Sequence, residues 1–185
     1  MKRSDATRER ILDAARALFA EQGFERTTIR AVAAAAEINP SLVIRYYGSK
    51  EGLFAASTEL RLRVADLSQV SPEKRGEAIV TAFLDRWEGP GAGEELAIML
   101  RAAASHEGAR QNYLEAMQRQ VRPMIATVCP PERTDICMAL IKTQLSGLAL
   151  SRYVLRVPAV VALERDFLIR RIGATIQGYL TNPDG

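Results

Sequence analysis

The stretch of residues 27–54 constrains the fold most, because it carries the signals for two short helices joined by a tight turn. Thr27 or Thr28 is expected to cap a first helix over residues 29–36, since a hydroxyl accepts hydrogen bonds from the free N–H groups of a first turn. That helix is almost all alanine beyond its two β-branched residues. Side chains this small leave room for a second helix to lie very close.

A second helix is expected over residues 41–47. Asn39 is its predicted cap, and Pro40 suits its first turn because proline has no N–H and a fixed φ. Gly48 follows the helix where a C-terminal glycine is favoured, and Ser49 caps a third helix. Two short helices joined by a turn of about three to four residues are typical of a helix-turn-helix, whose second helix can enter the major groove of DNA.

The helical pattern gives the second helix two faces. Val43 and Tyr47 lie four residues apart and are predicted to face the first helix. Two alternative interpretations stay open: Tyr46 is a core residue, and Arg45 is a solvated surface charge without a role in DNA binding. The opposite face, available to DNA, is predicted to carry Ser41, Leu42, Arg45 and Tyr46.

This stretch resembles the DNA-binding domain of the TetR family of bacterial transcriptional regulators. The resemblance rests on the run YYGSKEGLF at residues 46–54 and on TTIR at residues 27–30. It implies a helix-turn-helix domain of three helices at residues 1–54 and a larger α-helical ligand-binding and dimerisation domain at residues 55–185. It also implies that phosphate contacts come from Thr28, Tyr46 and Lys50, which are suitable donors to phosphate oxygens.

Base reading is predicted for Ser41, Leu42 and Arg45. Arg45 is the strongest candidate, because its guanidinium fork matches O6 and N7 of guanine and discriminates by roughly 1–3 kcal/mol. Leu42, which replaces the threonine usual in the family, suits only a thymine methyl group. Ile44 replaces a tyrosine that would contact phosphate, and Glu37 replaces the glycine that often begins the turn. Glu37 therefore requires either a positive φ at a non-glycine residue or a reshaped turn.

Apolar residues recur at helical spacing along the whole chain, which predicts an all-α fold without strands or internal repeats. Pro123 is expected to kink or restart the seventh helix. About nine helices are predicted, over residues 7–22, 29–36, 41–47, 50–67, 72–87, 94–105, 107–128, 134–155 and 160–180. A small N-terminal core is predicted from Leu18, Phe19, Phe24, Val32, Ile38, Val43 and Tyr47.

The last two helices differ from the others. Residues 136–155 are apolar nearly all round, which indicates burial on every side and, in a chain of 185 residues, a partner subunit. Gly173 and Gly178 provide points of close approach in the final helix. Two such helices from each subunit make a four-helix bundle at a two-fold axis, and the resemblance implies the same homodimer. The predicted interface residues are Leu145, Gly147, Leu148, Tyr153, Ile172 and Ile176.

A small-molecule pocket in residues 55–185 follows from the same resemblance. The helix over residues 50–67 is the predicted lever between ligand and DNA, because it joins the two domains. Ordinary core packing is the alternative for each pocket residue, since large apolar side chains are usually just packed. The predicted lining is Phe83, Trp87, Met99, Arg101, Tyr113 and Met117, a mostly apolar set.

Composition excludes several other classes. The sequence contains no window of ~18 apolar residues without charge, so no membrane span is predicted. The N-terminal run MKRSDATRER lacks the apolar core of a signal peptide. A cytoplasmic location is therefore expected. The net charge of +3, of which residues 1–54 contribute +2 from nine Lys/Arg and seven Asp/Glu, permits nucleic-acid binding without predicting it. Cys129 and Cys137 are expected to be free, buried thiols. His106, the sole histidine, is expected in a loop or cap, and no metal or other cofactor is expected.

The expected function is that of a repressor, released from a palindromic double-stranded DNA operator by a small-molecule effector. A two-fold dimer presents its recognition helices ~34–36 Å apart, to successive major grooves, which explains the expected palindrome. An activator or a ligand-independent regulator of the same fold is the first alternative. An all-α enzyme or carrier is a distant one, because no nucleophile–base pair and no phosphate-binding glycine loop is present in the sequence.

Overall fold

The computed structural model describes residues 3–57, 64–89, 92–105 and 107–181. Within these ranges the chain forms eleven α-helices and no β-strand, which confirms the all-α fold class. None of the described helices combines the length and the apolar character that a membrane span needs. The helices are α1 (Arg3–Arg26), α2 (Ile29–Ala35), α3 (Pro40–Tyr47), α4 (Lys50–Ser57), α5 (Arg75–Glu88), α6 (Ala92–Ser105), α7 (Glu107–Ala116), α8 (Arg122–Ala126), α9 (Thr134–Ala149), α10 (Pro158–Val161) and α11 (Arg165–Thr181).

Two of the predicted nine helices are each divided in the structure. The predicted helix over residues 107–128 is α7, a π-helical turn at Met117–Val121, and then α8. Pro123 lies in the first turn of α8, so the predicted restart at this proline is confirmed. The predicted last helix is divided into α10 and α11, and a second π-helical turn, Leu150–Val154, follows α9.

The chain divides into two compact units. The first comprises Met1–Leu60 and Ile98–Leu114, and the second comprises Arg61–Ala97 and Glu115–Gly185. Within the first unit, the side-chain amide of Asn112 on α7 donates to the carbonyl of Ala55 on α4 at 3.1 Å. The domain boundary between residues 54 and 55 stays a prediction.

An aromatic cluster organises the first unit. Gly23 interrupts α1 with a φ of 76° and a ψ of 172°, directly after the last residue of the helix predicted over residues 7–22. The chain then brings Phe24 back onto α1, where the Phe54 ring meets Phe19 at 5.0 Å and Phe24 at 5.2 Å, edge-on to both. Of the predicted core, Phe19, Val32 and Val43 are buried and Leu18, Phe24, Ile38 and Tyr47 are half-buried. Ile11, Ala15 and Leu53 are further members of this core, each without exposed surface.

The helix after Ser49 is shorter than predicted. The described part of α4 ends at Ser57, residues 58–63 lie outside the described residues, and residues 64–66 are not helical. Asp66 is extended, and its carboxylate accepts hydrogen bonds from the backbone N–H and the hydroxyl of Ser68 at 3.0 and 2.7 Å. A side chain that binds the backbone two residues on competes with helix formation. The predicted helix over residues 50–67 therefore does not reach Leu67.

In the second unit, α5 and α11 approach each other through two glycines. A Cβ atom on Gly76 would lie 2.2 Å from the carbonyl oxygen of Gly173, and one on Gly173 would lie 3.0 Å from the backbone of Glu77. The Gly76 N–H donates to the side-chain oxygen of Gln177 at 2.9 Å. Gly173 is thus a point of close approach, as predicted, and the helix approached is α5 of the same chain.

The opposite end of α5 is held by a polar network. Glu88 accepts hydrogen bonds from the Tyr153 hydroxyl at 2.9 Å and from Arg165 at 2.8 Å. The Trp87 ring stacks on Tyr153, with centroids 4.8 Å apart and planes 8° from parallel. The neighbouring Arg152 donates to three carbonyl oxygens at and after the end of α10. The π-helical turn that carries Arg152 and Tyr153 therefore ties α5 to the start of α11.

Within one subunit, α9 has one buried side and one exposed side, so the predicted cover of the exposed side by a partner subunit stays a prediction. Leu148 and Ile176 pack into the chain's own core, and Ile176 has no exposed surface, so their side chains are not available to a partner subunit as predicted. Leu145, Tyr153 and Ile172 pack partly against the same core. The residues exposed at three- and four-residue steps are instead Ile136, Ala139, Thr143, Gly147 and Leu150.

The cysteines behave as the sequence predicted. Cys129 and Cys137 are free and buried, which confirms that expectation. The Cys137 thiol donates to the carbonyl of Tyr179 at 3.2 Å. His106 lies outside the described residues.

Candidate nucleic-acid interface

The helix α2 starts at one of two adjacent threonines. Thr28 is extended, and its hydroxyl oxygen accepts from the Ala31 N–H at 3.1 Å, so Thr28 is the cap. Thr27 is buried, and its hydroxyl donates to the Gly23 carbonyl at 2.8 Å. Because Thr28 uses only an acceptor lone pair here and is exposed, its hydroxyl hydrogen remains free to donate to a phosphate oxygen.

The turn between α2 and α3 is a Schellman motif that has glutamate in the glycine position. The Ile38 N–H donates to the Ala33 carbonyl at 3.0 Å, and the Glu37 N–H donates to the Ala34 carbonyl at 3.1 Å. Glu37 has a φ of 54°, the left-handed conformation that costs a residue with a Cβ roughly 1–2 kcal/mol. Of the two predicted alternatives, the structure has the positive φ, and the turn keeps its usual shape.

The recognition helix α3 is fixed at both ends and has two distinct faces. The Asn39 side chain accepts from the Ser41 N–H at 2.9 Å, and Gly48 ends the helix with a φ of 74°. Val43 has no exposed surface, whereas Ser41 and Arg45 are exposed. The two exposed side chains lie on the face that the sequence assigned to DNA.

Two apolar side chains share this outward side. Leu42, predicted to contact a thymine methyl, is half-exposed. Ile44 is 45% exposed, at a position where the sequence predicts only the loss of a phosphate-contacting tyrosine. An exposed branched side chain on a recognition helix suits contact with a thymine methyl group. The signal available in the sequence was that Ile44 follows Val43 directly and is therefore turned about 100° away from it around the helix.

Tyr46 is held by two arginines. The guanidinium carbon of Arg8 lies 5.0 Å from the centre of the Tyr46 ring, and that of Arg45 lies 5.2 Å from it. The Tyr47 hydroxyl donates to the backbone carbonyl of Arg8, 39 residues away in sequence, at 3.2 Å. Arg8 therefore supports both tyrosines and adds positive charge beside them. Sequence reasoning missed Arg8, because nothing local to α1 indicates a contact this distant.

Lys50 is partly engaged within the protein. Its ammonium donates to the Glu25 carbonyl at 3.1 Å and lies 4.3 Å from the centre of the Phe24 ring. An ammonium has three N–H donors, so two remain for an external acceptor. Ser49 caps the helix that carries Lys50, as predicted, by accepting from the Gly52 N–H at 3.0 Å.

The two tyrosines lie beside a groove in the first unit. The groove has a volume of about 630 Å³, and Arg8, Tyr46 and Tyr47 are among the residues that line it. Partial burial raises the pKa of the Tyr47 hydroxyl above its usual 10.0, although the positive charge of Arg8 opposes that shift. Tyr47 is therefore a neutral hydrogen-bond donor at physiological pH.

The residues predicted to line a ligand pocket divide between the two units. Phe83 and Trp87 lie on α5 in the second unit, with ring centroids 6.1 Å apart. Met99 is buried in the first unit, and Arg101 is exposed there. Tyr113 belongs to the first unit and Met117 to the second. A cavity shared by all six residues stays a prediction.

Comparisons with known proteins agree with this geometry. A family model described as bacterial regulatory proteins, tetR family, matches residues 11–57, and one described as the tetracyclin repressor-like C-terminal domain matches residues 73–180. The solved structure of a TetR-family regulator from Streptomyces coelicolor A3 is 31% identical, covers 98% of each chain and has a TM-score of 0.58. An HTH-type transcriptional repressor of Mycobacterium tuberculosis and an HTH-type transcriptional regulator of Mycobacterium bovis are each 35% identical over 85 residues. The alignment covers 40% of this chain and 45% of those two relatives, so this chain spans less than half of their length.

The adjacent tyrosines give a matched pair of substitutions. Tyr47→Phe removes the hydrogen bond to the Arg8 carbonyl and is expected to lower the free energy of unfolding by about 0.5–1.5 kcal/mol. Tyr46→Phe keeps the ring between the two arginines and is expected to leave the stability unchanged. Urea denaturation measures both values, and equal stability of the two variants would refute the assignment.

The raised pKa of Tyr47 adds a dependence on pH. A raised pKa in the folded state stabilises the fold below the unfolded value of 10.0, and this contribution is lost as the pH rises through the folded pKa. The parent protein is therefore expected to lose its advantage over Tyr47→Phe above about pH 10. Denaturation at pH 8 and at pH 10.5 measures the change, and an advantage that grows with pH contradicts the assignment.

Proposed function

The chain belongs to the TetR family of bacterial regulatory proteins, and from this membership we propose that it is a transcriptional repressor that a small-molecule ligand releases from a palindromic DNA operator. The observation that carries the proposal is the two-faced helix α3, with Val43 fully buried and Ser41 and Arg45 exposed. The relative from Mycobacterium tuberculosis is named a repressor, which favours repression over activation. Family membership likewise favours a regulator over the enzyme or carrier alternative.

In this proposal Arg45 reads the base sequence. Among the described residues none accepts a hydrogen bond from its guanidinium, whose contact is with the face of the Tyr46 ring. The N–H groups at the rim of the guanidinium are therefore free to form two hydrogen bonds with one guanine. Ser41, in the first turn of α3, and Leu42 lie in the part of a recognition helix that comes nearest to base edges.

Thr28, Tyr46 and Lys50 position the protein on the phosphate backbone. Each is supported by the protein through atoms other than those it offers to DNA: Thr28 by its cap hydrogen bond, Tyr46 by stacking, and Lys50 by one of three N–H donors. Donors that are already ordered lose less conformational entropy on binding. We propose that Arg8 joins this set as the support of Tyr46.

The palindrome requires a homodimer, and we place its interface on the outward side of α9 and α11. Gly147 on α9 and Gly178 on α11 are exposed, and a Cβ atom at either one would meet nothing within 4 Å. Small exposed residues on these two helices permit close packing against the same two helices of a second copy, which together form a four-helix bundle. This interface uses Gly147 of the predicted set together with outward residues such as Ile136 and Leu150.

Release by a ligand follows from linkage between two sites. A ligand that binds one arrangement of the recognition helices better than the other shifts the population and weakens DNA affinity by the same factor. Phe83 and Trp87 are the proposed ligand contacts in the second unit. Because Trp87 stacks on Tyr153, a ligand that displaces the Trp87 ring also disturbs the network around Glu88. The segment that follows α4 is the proposed lever between ligand and DNA. It differs from the predicted lever because the helix does not continue to Leu67.

Substitutions of the two cationic residues at the interface separate positioning from base reading. Lys50→Ala removes a phosphate contact and is expected to weaken binding to every DNA sequence, reducing the slope of log K against log salt by about one unit. Arg45→Ala is expected to lose roughly 1–3 kcal/mol of discrimination at one base pair in each half-site. Gel shifts with the DNA that flanks the gene of this protein, at several salt concentrations, measure both effects.

Lys74→Ala is the matched control, because Lys74 is an exposed lysine in the second unit that pairs with Glu77 at 3.0 Å. It is expected to change neither the slope nor the sequence preference. Lys50→Arg keeps the positive charge and is expected to retain the slope of log K against log salt. Comparison with Lys50→Ala therefore separates the effect of the charge from the effect of the lysine's contact with Phe24. The contact assignment is wrong if Lys50→Ala and Arg45→Ala both bind as the parent protein does.

The proposed dimer is tested at Gly147. A Cβ atom at position 147 would meet nothing within 4 Å, and Gly147→Arg replaces a helix-weakening residue, so the subunit is expected to fold at least as well as the parent. At an interface, the same side chain is expected to weaken self-association at least tenfold, the equivalent of about 1.4 kcal/mol. Sedimentation equilibrium measures the dissociation constant.

Gly173→Ala is the contrasting variant. Its Cβ atom lies 3.0 Å from Glu77 within the same subunit, so it is expected to lower the melting temperature by straining the contact between α5 and α11. If Gly147→Arg associates as tightly as the parent protein, the interface lies elsewhere.

A further inference from the structure

Two arginines of the second unit hold buried N–H groups that have no acceptor. The Nε atom of Arg75 and two guanidinium nitrogens of Arg133 are buried, and among the described residues none has a hydrogen-bond partner. A buried donor without an acceptor destabilises the folded state, and it does so more strongly when the group is charged. Such groups are rare in folded proteins, where an ordered water or a bound ion commonly supplies the acceptor.

The two arginines reach the same end of α11 from different helices. Arg75 is the first residue of α5, next to Gly76, whose N–H donates to Gln177 on α11. Arg133 immediately precedes α9, one turn before Cys137, whose thiol donates to the Tyr179 carbonyl on α11. Both guanidinium groups also lie close enough to Cys129 to act on its thiol electrostatically. Two positive charges therefore converge at this end of the second unit.

Nearby acidic groups do not supply the missing negative charge. Asp135 pairs with Arg122 at 2.8 Å, and Glu77 pairs with Lys74 at 3.0 Å. The thiol of Cys129 is neutral at physiological pH, because burial and the neighbouring Cys137 raise its pKa to about 12. Among the described residues, the two guanidinium groups thus have no anionic partner in an ion pair.

We propose that Arg75 and Arg133 form a binding site for a small oxyanion, a carboxylate or a phosphate group. The planar guanidinium presents paired N–H donors that match two oxygens of either group. Both arginines lie at the N-terminal ends of helices, α5 with 14 residues and α9 with 16, where partial positive charge also favours an anion. The proposal is independent of DNA binding and of the proposed contacts at Phe83 and Trp87.

A thermal-unfolding titration tests the site. The melting temperature of the full chain is measured against increasing inorganic phosphate or acetate, with chloride added to hold ionic strength constant at one pH. A ligand that binds only the folded state raises stability in proportion to ln(1 + [L]/Kd). The parent protein is expected to gain stability with phosphate or acetate beyond the chloride series, and the stronger of the two identifies the group that the site prefers.

Variants connect the effect to the two arginines. Arg133→Met and Arg75→Met are each expected to raise the apparent dissociation constant at least tenfold. In chloride alone each is expected to melt no lower than the parent, because an apolar side chain replaces a half-buried guanidinium whose buried donors have no acceptor among the described residues. Arg170→Gln changes an exposed arginine of α11 and is expected to respond to the anion as the parent does.

A second readout keeps the test independent of folding of the variants. The Nε–H resonances of Arg75 and Arg133 in the parent protein are expected to shift on addition of the effective anion, whereas that of Arg170 stays in place. The proposal is overturned if neither anion stabilises the parent beyond chloride, if the arginine-to-methionine variants retain the full stabilisation, or if neither resonance shifts.

Discussion

The conformation of Glu37 between α2 and α3 is the constraint on which the DNA-binding face depends. The two crossed hydrogen bonds of the Schellman motif end α2, and the positive φ of Glu37 redirects the chain within three residues to the cap at Asn39. This path places Val43 against α2, whose alanines permit close packing, so the opposite side of α3 must face outward. The outward placement of Arg45 is thus a consequence of turn geometry and of apolar burial together.

Signals confined to a few residues predicted the first unit well. Thr28, Asn39 and Gly48 act as helix ends in the structure because a cap depends on the neighbouring N–H or carbonyl groups. The length of α4 was overestimated, because Asp66 binds its own backbone in competition with the helix. The burial of Ile176 was missed for a different reason: an apolar helix has no local signal for whether its neighbour is α5 of the same chain or a second subunit.

Long-range contacts explain what the sequence did not reveal in the second unit. The contact of Gly76 with Gly173, and the network of Glu88 with Tyr153 and Arg165, join residues far apart in the chain. They hold the two ends of α5 against α11, and Gly147 of α9 and Gly178 of α11 remain exposed. The unpaired guanidinium groups near Cys129 are equally invisible in sequence, because an arginine there reads as an ordinary surface charge. Such sites appear only when the hydrogen-bond donors of a buried region are matched with their acceptors.

The central claim is that α3 of each of two subunits lies in a major groove, with Arg45 on a guanine. Dimethyl sulfate protection on the bound operator tests it most directly, because the reagent methylates N7 of guanine, one of the two atoms that Arg45 is proposed to bind. The account predicts protected guanines in two half-sites one helical turn apart, about 10–10.5 base pairs or a multiple of that. It also predicts that Arg45→Ala loses this protection while still binding DNA. Protection in a single half-site, or protection that survives the substitution, would contradict the account.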